Sequence, residues 1–304
     1  MSLSGARIGA NLSAGAFVPQ VYSAKMQDKF YASSVVASVA NTAWQGDIQG
    51  FGDKVIIRKV PTVNIFDYSV NAPISYQDIS DEQIILSIDQ QKAYAFRVDY
   101  IDDYQSDLAL IEKISEDASW QMKVKVDQTV LQGVVASVPT ANCVTAAAVG
   151  VAQATGSTAA IDATTAIKPL LNAGEVMDAN NVPRDGGRWA TITPHWANLL
   201  KQSPLAQAYF TGDTTSPLRN GLIGEIDGMK VYVSNNVTNA NGAVTGTGNS
   251  YCLAGHTSSL AFASQFMKHR QIELPDTFGW GISGLNVFGY KLVKPEATVV
   301  MMVF

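Results

Sequence analysis

Apolar residues recur at intervals of three and four along Ile111, Ile114, Ala118, Met122, Val126, Val130 and Val134, which is the spacing of one helix face. Ser106 and Asp107 supply side-chain oxygens where a helix start needs them, and Pro139 ends the run. About 30 residues at 1.5 Å of rise predict a rod of roughly 45 Å. The stripe is spaced mostly by four and lacks a sustained heptad with charged flanks, so it predicts a spine lying across a sheet rather than a coiled-coil arm.

On either side of this helix the pattern changes period. Lys54 to Val60 reads as a strand stopped by Pro61, and Ile84, Leu86 and Ile88, then Tyr94, Phe96 and Val98, alternate with polar residues. The stretch between, Pro61 to Glu82, holds Pro61 and Pro73 and little helical period, which predicts a long hairpin-like projection. Such a projection cannot bury both of its faces by itself. Before it, a Gly, Ala and Ser-rich start predicts a mobile arm, followed by a short amphipathic helix near Val21 to Val39.

Beyond the spine, the small residues of 140 to 160 predict a linker, and Asp162 to Asn180 a further helix. Arg188 to Ile192 reads as a buried strand after a Gly-rich turn, with Thr193 capping the next helix and Pro194 at its first position. Asp227-Gly228 is a two-residue hairpin turn between Gly224 to Ile226 and Met229 to Val233. A helix is expected near Ser258 to Phe266. Strands are expected at Leu285 to Phe288, Tyr290 to Lys294 and Ala297 to Phe304.

Composition narrows what such a chain can do. Only 15% of residues are charged, well under the roughly 25% of soluble domains, so its surface is one that other subunits would usefully cover. A net charge of -5 disfavours tight nucleic-acid binding, which depends on Lys and Arg neutralising phosphates. The charge is also unevenly placed. Residues 1 to 46 hold Arg7, Lys25 and Lys29 against Asp28, whereas Asp67, Asp78, Asp81, Glu82, Asp89, Asp99, Asp102 and Asp103 stand against Lys92 and Arg97 alone. That acidic stretch is either a solvated loop or a docking surface for a neighbour's basic arm. No secretory signal core or apolar run of membrane-spanning length is present, so synthesis in a cytoplasm without membrane insertion is expected.

Few residues are spaced for chemistry. Cys143 and Cys252 lack CxxC company and read as structural thiols. Gly279-Trp280-Gly281-Ile282-Ser283-Gly284 spells GxGxxG, but strand-like rather than helical residues follow, against a dinucleotide loop. His195, His256 and His269 have no metal spacing and read as packing or capping residues. Asp99, Asp102 and Asp103 could hold a hard cation, yet sit where acids favour the positive end of the spine helix. Asn11 and Asn236 spell glycosylation sites that mean nothing without secretion. No catalytic, cofactor-binding or metal residue is therefore assigned, no cofactor is called, and no phosphate-cradling GxxxxGK[ST] is found.

The order of these parts carries more than any one of them. With Phe17 to Ser23, Gly50 to Val55, Val182-Pro183-Arg184 to Trp189, Gly228 to Ser234 and Phe278-Gly279-Trp280 in sequence, nearly the whole chain resembles the major capsid proteins of tailed bacteriophages of the Hong Kong 97 type. The resemblance implies an α+β fold: an N-terminal arm at 1–46, an extended β-hairpin loop at 47–102, and a peripheral-domain spine helix with linker at 103–159. An α/β axial domain at 160–272 and returning peripheral strands at 273–304 would complete it. It implies a non-enzymatic structural protein of the virion that self-assembles through hexamers and pentamers into an icosahedral head around double-stranded DNA. Its partners would be itself and scaffolding, portal and decoration proteins, with weak non-specific contact to packaged DNA. Scaffolding would come either from a segment already removed or from a separate protein, and no motif fixes a cross-link. An encapsulin-type compartment shell, or an α/β hydrolase or nucleotide-binding enzyme, is the alternative; a tail or decoration protein is a more distant one.

Overall fold

The computed structural model describes residues 34–44, 54–61, 63–70, 76–78, 82–105, 110–151, 161–203, 224–237, 250–275 and 277–303. Most of the arm, most of the helix expected near Val21 to Val39, and the expected cap at Ser106 and Asp107 lie outside them. Within them, Val36–Val39 forms a short helix, α1.

Lys54–Lys59 (β1) and Glu82–Ser87 (β2) pair antiparallel, Lys54 opposite Ser87 and Lys59 opposite Glu82, which gives the expected hairpin. One face of this ribbon buries Ile57 and Leu86 on Ala261, Ala263 and Val293; the other leaves Ile56 and Ile85 exposed. Gln90–Asp99 (β3) then enters a different, three-stranded sheet, and Tyr100–Gln105 (α2) leads toward the spine helix, Leu110–Val135 (α3). Its 26 residues make a rod of about 39 Å.

The predicted apolar stripe of α3 deepens along the helix. Ile111, Ile114 and Ala118 are half-buried, whereas Met122, Val126, Val130 and Val134 are buried, joined by Leu131 and Val135. The helix lies so close to the sheet strand Gly279–Leu292 (β10) that a Cβ on Gly133 would sit 1.8 Å from the Tyr290 hydroxyl oxygen. Gly133→Ala is therefore expected to destabilise the fold by about 1–3 kcal/mol through overpacking, measured as a lower urea midpoint with unchanged slope. Tyr290→Leu in the same chain should recover part of that loss.

The second half of the chain builds a six-stranded mixed sheet. Its strands are Cys143–Val144 (β4), Arg188–Ile192 (β5), Glu225–Ile226 (β6), Met229–Val233 (β7), Ser250–His256 (β8) and Thr298–Val303 (β11), in the order β4-β11-β8-β5-β7-β6. Strands buried on both faces read as continuous apolar runs, and every residue of β5 and β11 is buried. Along β11 the side chains alternate: Val299, Met301 and Val303 point to one cluster, Val300 and Met302 to the other. Helices Lys168–Ala179 (α4) and Pro194–Gln202 (α5) cover the first face with Leu170, Met177, Trp196 and Leu200. The second face is covered by α1 and the buried half of α3. Thr193 caps α5 as expected, its hydroxyl accepting from the Trp196 amide at 3.3 Å, with Pro194 next. In the β6–β7 hairpin, Asp227 and Gly228 both have positive φ, 51° and 71°, the geometry of a type I′ turn.

Three expectations are corrected. Ser258 to Phe266 is not helical: Leu260–Glu273 is a 14-residue strand, β9, paired with β10 along its length. Alanine-rich Leu260 to Ala263 could favour helix locally, but burial of Leu260, Ala261 and Ala263 between neighbouring elements decides otherwise. The supposed linker contains β4, whose Cys143 and Val144 are fully buried beside Val300 and Met301. The two strands expected at 285–294 are one continuous strand, β10, whose register with β9 shifts by one residue between Val287 and Phe288.

Candidate functional site

Candidate catalytic groups do not converge. His195 is exposed on α5, while His269 on β9 meets the Ser115 hydroxyl of α3, at 3.3 Å. Asp99 accepts from the Ile101 amide at 2.9 Å and so serves the start of α2; the side chains of Asp102 and Asp103 lie outside the described residues. Among the described residues no group of three or more His, Cys, Asp or Glu could hold a metal ion. The six-residue GxGxxG run lies wholly inside β10, with Gly279 opposite Asp99 and Gly284 opposite Tyr94, so its amides serve a ladder instead of opening a helix toward phosphate. Asn236 is fully buried, which removes it as a glycan acceptor; Asn11 lies outside the described residues.

His256 does have the company that a serine nucleophile would need. Its Nε2 is 2.9 Å from Asp185 Oδ1 and its Nδ1 is 2.8 Å from the Ser258 hydroxyl. The Ser258 amide, however, donates to the same Nδ1 at 3.2 Å, which makes the serine part of a tight local turn two residues on. His256 fastens that turn to the 182–187 loop, and its hydrogen bond holds the Asp185 carboxyl below its ordinary range. The adjoining network is equally structural. Arg188, fully buried, donates to Asp178 at 2.7 Å and to the carbonyls of Pro183 and Val182. Arg184 bridges Asp178 and Asp227. Hydrogen bonds from Arg184 and then Arg188 hold the Asp178 carboxyl well below the usual carboxylate range. A carboxylate so depressed keeps its pairing as pH falls through 4, and loses it only in stronger acid.

Two buried polar side chains that the sequence did not advertise tie distant segments together. Asp127, fully buried on α3, accepts from the Ser34 hydroxyl and the Val35 and Val36 amides at 2.8–3.0 Å, and from the Asn236 amide group at 2.8 Å. Asn142 donates to the carbonyls of Pro295, Glu296 and Thr298 at 3.0–3.2 Å. The single available signal was a carboxylate immediately beside the apolar stripe, at Val126-Asp127. Cys143 and Cys252 flank β11 on opposite faces of the sheet, both fully buried, and burial pushes the Cys252 thiol up to about 12. Neither thiol should react with iodoacetamide in the native protein, and both should do so in denaturant; mass spectrometry of the alkylated chain reads this directly.

What the chain leaves uncovered is the loop beyond β1. Val63, Ile65, Phe66, Tyr68, Val70 and Tyr76 are 53–98% exposed, an apolar surface of a kind that usually marks an interface. The Asn64 amide donates to the Gln77 side chain at 3.0 Å, so the two limbs run together there. This extended, exposed loop at the end of a two-stranded ribbon, itself packed on one face only, is the arrangement of an interaction protein.

Comparisons with known proteins agree. Residues 82–301 match the sequence profile of a family described as phage capsid protein. A chain from Mycobacterium phage Che8 is 27% identical, with 94% of this chain and 97% of that one covered and a TM-score of 0.79. A chain in the capsid structure of Cyanophage P-SCSP1u is 16% identical over 95% and 93%, with a TM-score of 0.74. One in the capsid of a native GTA particle is 11% identical over 96% and 97%, with a TM-score of 0.69. No curated protein matches. Neither the encapsulin nor the enzyme alternative draws support from these likenesses.

Proposed function

This chain belongs to the phage capsid protein family and is a major capsid protein with the Hong Kong 97-like fold, and from that premise we propose that its copies associate as hexamers and pentamers. They close into an icosahedral head around the double-stranded DNA genome. The protein is a component of the virion capsid that associates with itself. Its synthesis in the host cytoplasm, its independence of catalysis, and contacts with scaffolding, portal and decoration proteins belong to the same proposal. Weak non-specific contact with packaged DNA suits its net charge of -5, because a lining that gripped phosphate would hinder filling and release.

One observation carries the reading: the apolar loop at 63–70, whose Val63, Ile65, Phe66, Tyr68 and Val70 are 53–98% exposed among the described residues. The loop is anchored at its base by Ile57 and Leu86, so it can reach outward from a fixed root. Of the extended loop expected at 47–102, β1, β2 and the stretch between them act as the part lying over a neighbour, while β3 joins the three-stranded sheet; 103–159 acts as the spine and its continuation. The six-stranded sheet, with α4 and α5, is the core of the axial domain proposed at 160–272. The β9–β10 hairpin crosses the 272/273 boundary and β11 returns to the six-stranded sheet, which favours dividing 273–304 at the end of β10. Many weak contacts, made simultaneously, make a closed shell stable.

Purified protein examined by negative-stain electron microscopy and light scattering should give capsomer rings or uniform polyhedral shells. A monomer or dimer that persists with scaffolding protein added would overturn the proposal.

A further inference from the structure

The three-stranded sheet, in the order β3-β10-β9, has two different faces. Residues directly opposite one another in a sheet share a face. One face carries Tyr94, Phe96 and Val98 of β3, Ile282 of β10 and His269 of β9, and turns toward α3. The other carries three cross-strand rows: Arg97, Gly281 and Ile272; Ala95, Ser283 and Arg270; Ala93, Leu285 and Lys268. On this second face Ala93, Ala95, Arg97, Lys268, Arg270 and Ile272 are all exposed.

These rows form a shallow trough. Small side chains, Ala93, Ala95 and Ser283, make the floor, which ends at Gly281, where the Leu274 side chain lies against the strand. Arg97 stands on one rim and Lys268 and Arg270 on the other, about 10 Å away at two strand spacings. None of the three cations has an ion-pair partner among the described residues. Asp99, the acid on the same face, sits at one end and is engaged by the Ile101 amide. The exposed loop has the opposite character: residues 60 to 91 include Asp67, Asp78, Asp81, Glu82 and Asp89 and contain no Lys or Arg. Asp67 and Asp78 are exposed beside the apolar side chains of Phe66, Tyr68 and Tyr76.

We infer that the acidic, aromatic loop of one copy lies in the basic trough of a second copy, its rings on the small-residue floor and its carboxylates against Arg97, Lys268 and Arg270. The inference rests on the proposed self-assembly and adds which face receives the loop and by what attraction. Small floor residues admit rings where large ones would exclude them, and desolvation by those rings strengthens the flanking ion pairs over what exposed pairs provide. The attraction fixes register between copies and weakens with added salt.

The test is a charge exchange. Assembly is followed by sedimentation and electron microscopy for the unaltered chain, a trough variant (Arg97→Glu with Arg270→Glu), a loop variant (Asp67→Lys with Asp78→Lys), and the chain carrying both pairs. Far-ultraviolet circular dichroism and melting establish that each is folded. Each single-sided variant is expected to need at least about tenfold more protein to assemble at low salt, and the combined chain to recover most of the difference. In a second measurement, a folded Ala95→Cys chain is co-assembled with a folded Tyr68→Cys chain under mild oxidation. It should yield a disulfide dimer joining one of each, since the native thiols are buried.

Unaltered chains that assemble while trough variants assemble equally well, with no mixed disulfide, would overturn the inference and leave the capsid function standing. Loss without recovery in the combined chain and no mixed disulfide would overturn the pairing. Unimpaired assembly with reduced retention of DNA would assign the trough to nucleic acid instead. Unaltered chains that never assemble would overturn the underlying function as well.

Discussion

Replacing Asp127 by alanine is expected to lower stability by about 3–5 kcal/mol, because it leaves several interior donors without an acceptor at once. The carboxylate is fully buried, and its two oxygens serve different segments. Oδ1 takes the Ser34 hydroxyl and the Val35 and Val36 amides at the start of α1, and Oδ2 takes the Asn236 side chain. Each orphaned donor costs about 1–3 kcal/mol when water cannot reach it, and partial opening of the short α1 would relieve some of this. Asp127→Asn keeps the shape but turns one acceptor into a donor facing other donors, so roughly half the loss is expected. Urea unfolding gives the totals. Hydrogen exchange at Val35 and Val36 should accelerate in both variants, most in the alanine one. A loss within about 0.5 kcal/mol of zero for alanine, the range of ordinary surface changes, would show that the segment at 34–39 is held by packing alone.

Trp196→Ala should cost about as much, roughly 3–5 kcal/mol, by a different route. Trp196 sits in the first turn of α5, fully buried against the first face of the six-stranded sheet, and its indole N–H donates to the Ala166 carbonyl at 2.8 Å. Alanine opens a cavity and orphans that carbonyl; Trp196→Phe fills most of the space and loses chiefly the hydrogen bond, for about 1–2 kcal/mol. The difference between the two variants isolates the packing contribution. Melting midpoints that fall together would show that the hydrogen bond, not the ring's volume, anchors α5.

Local rules read well where local energies decide. Thr193 and Pro194 mark a helix start whose cap is satisfied by neighbours in sequence, and Asp227-Gly228 marks a turn whose geometry those two residues select. The spine was legible because its stripe repeats over six turns. Legibility failed where distant partners outvote local preference. Leu260 to Phe266 has the composition of a helix, but β10 lies alongside it and takes its backbone hydrogen bonds. Cys143 and Val144 look like linker residues until the edge of β11 pairs with them. Asp127 and Asn142 were silent for the same reason: the donors to Asp127 lie 91 to 109 positions away and the carbonyls that Asn142 serves 153 to 156 away. The docking trough is a further case. Arg97, Lys268 and Arg270 become one surface only once β10 sets the register between β3 and β9. The order of elements was the strongest functional signal, because the family conserves architecture across low identity.

Strand order sets a timetable as well as a shape. In β4-β11-β8-β5-β7-β6 the strand made after the other five, β11, lies inside the sheet, with β8 on one side and β4 on the other. While the ribosome is still adding residues before 298, β4 has no neighbour in that sheet and the edge of β8 stands open. Both faces of the gap lack the buried Val299 to Val303. A nascent copy therefore leaves this sheet open until residues 298–303 have been made, and a half-made copy lacks the closed core on which α3 and α4 pack.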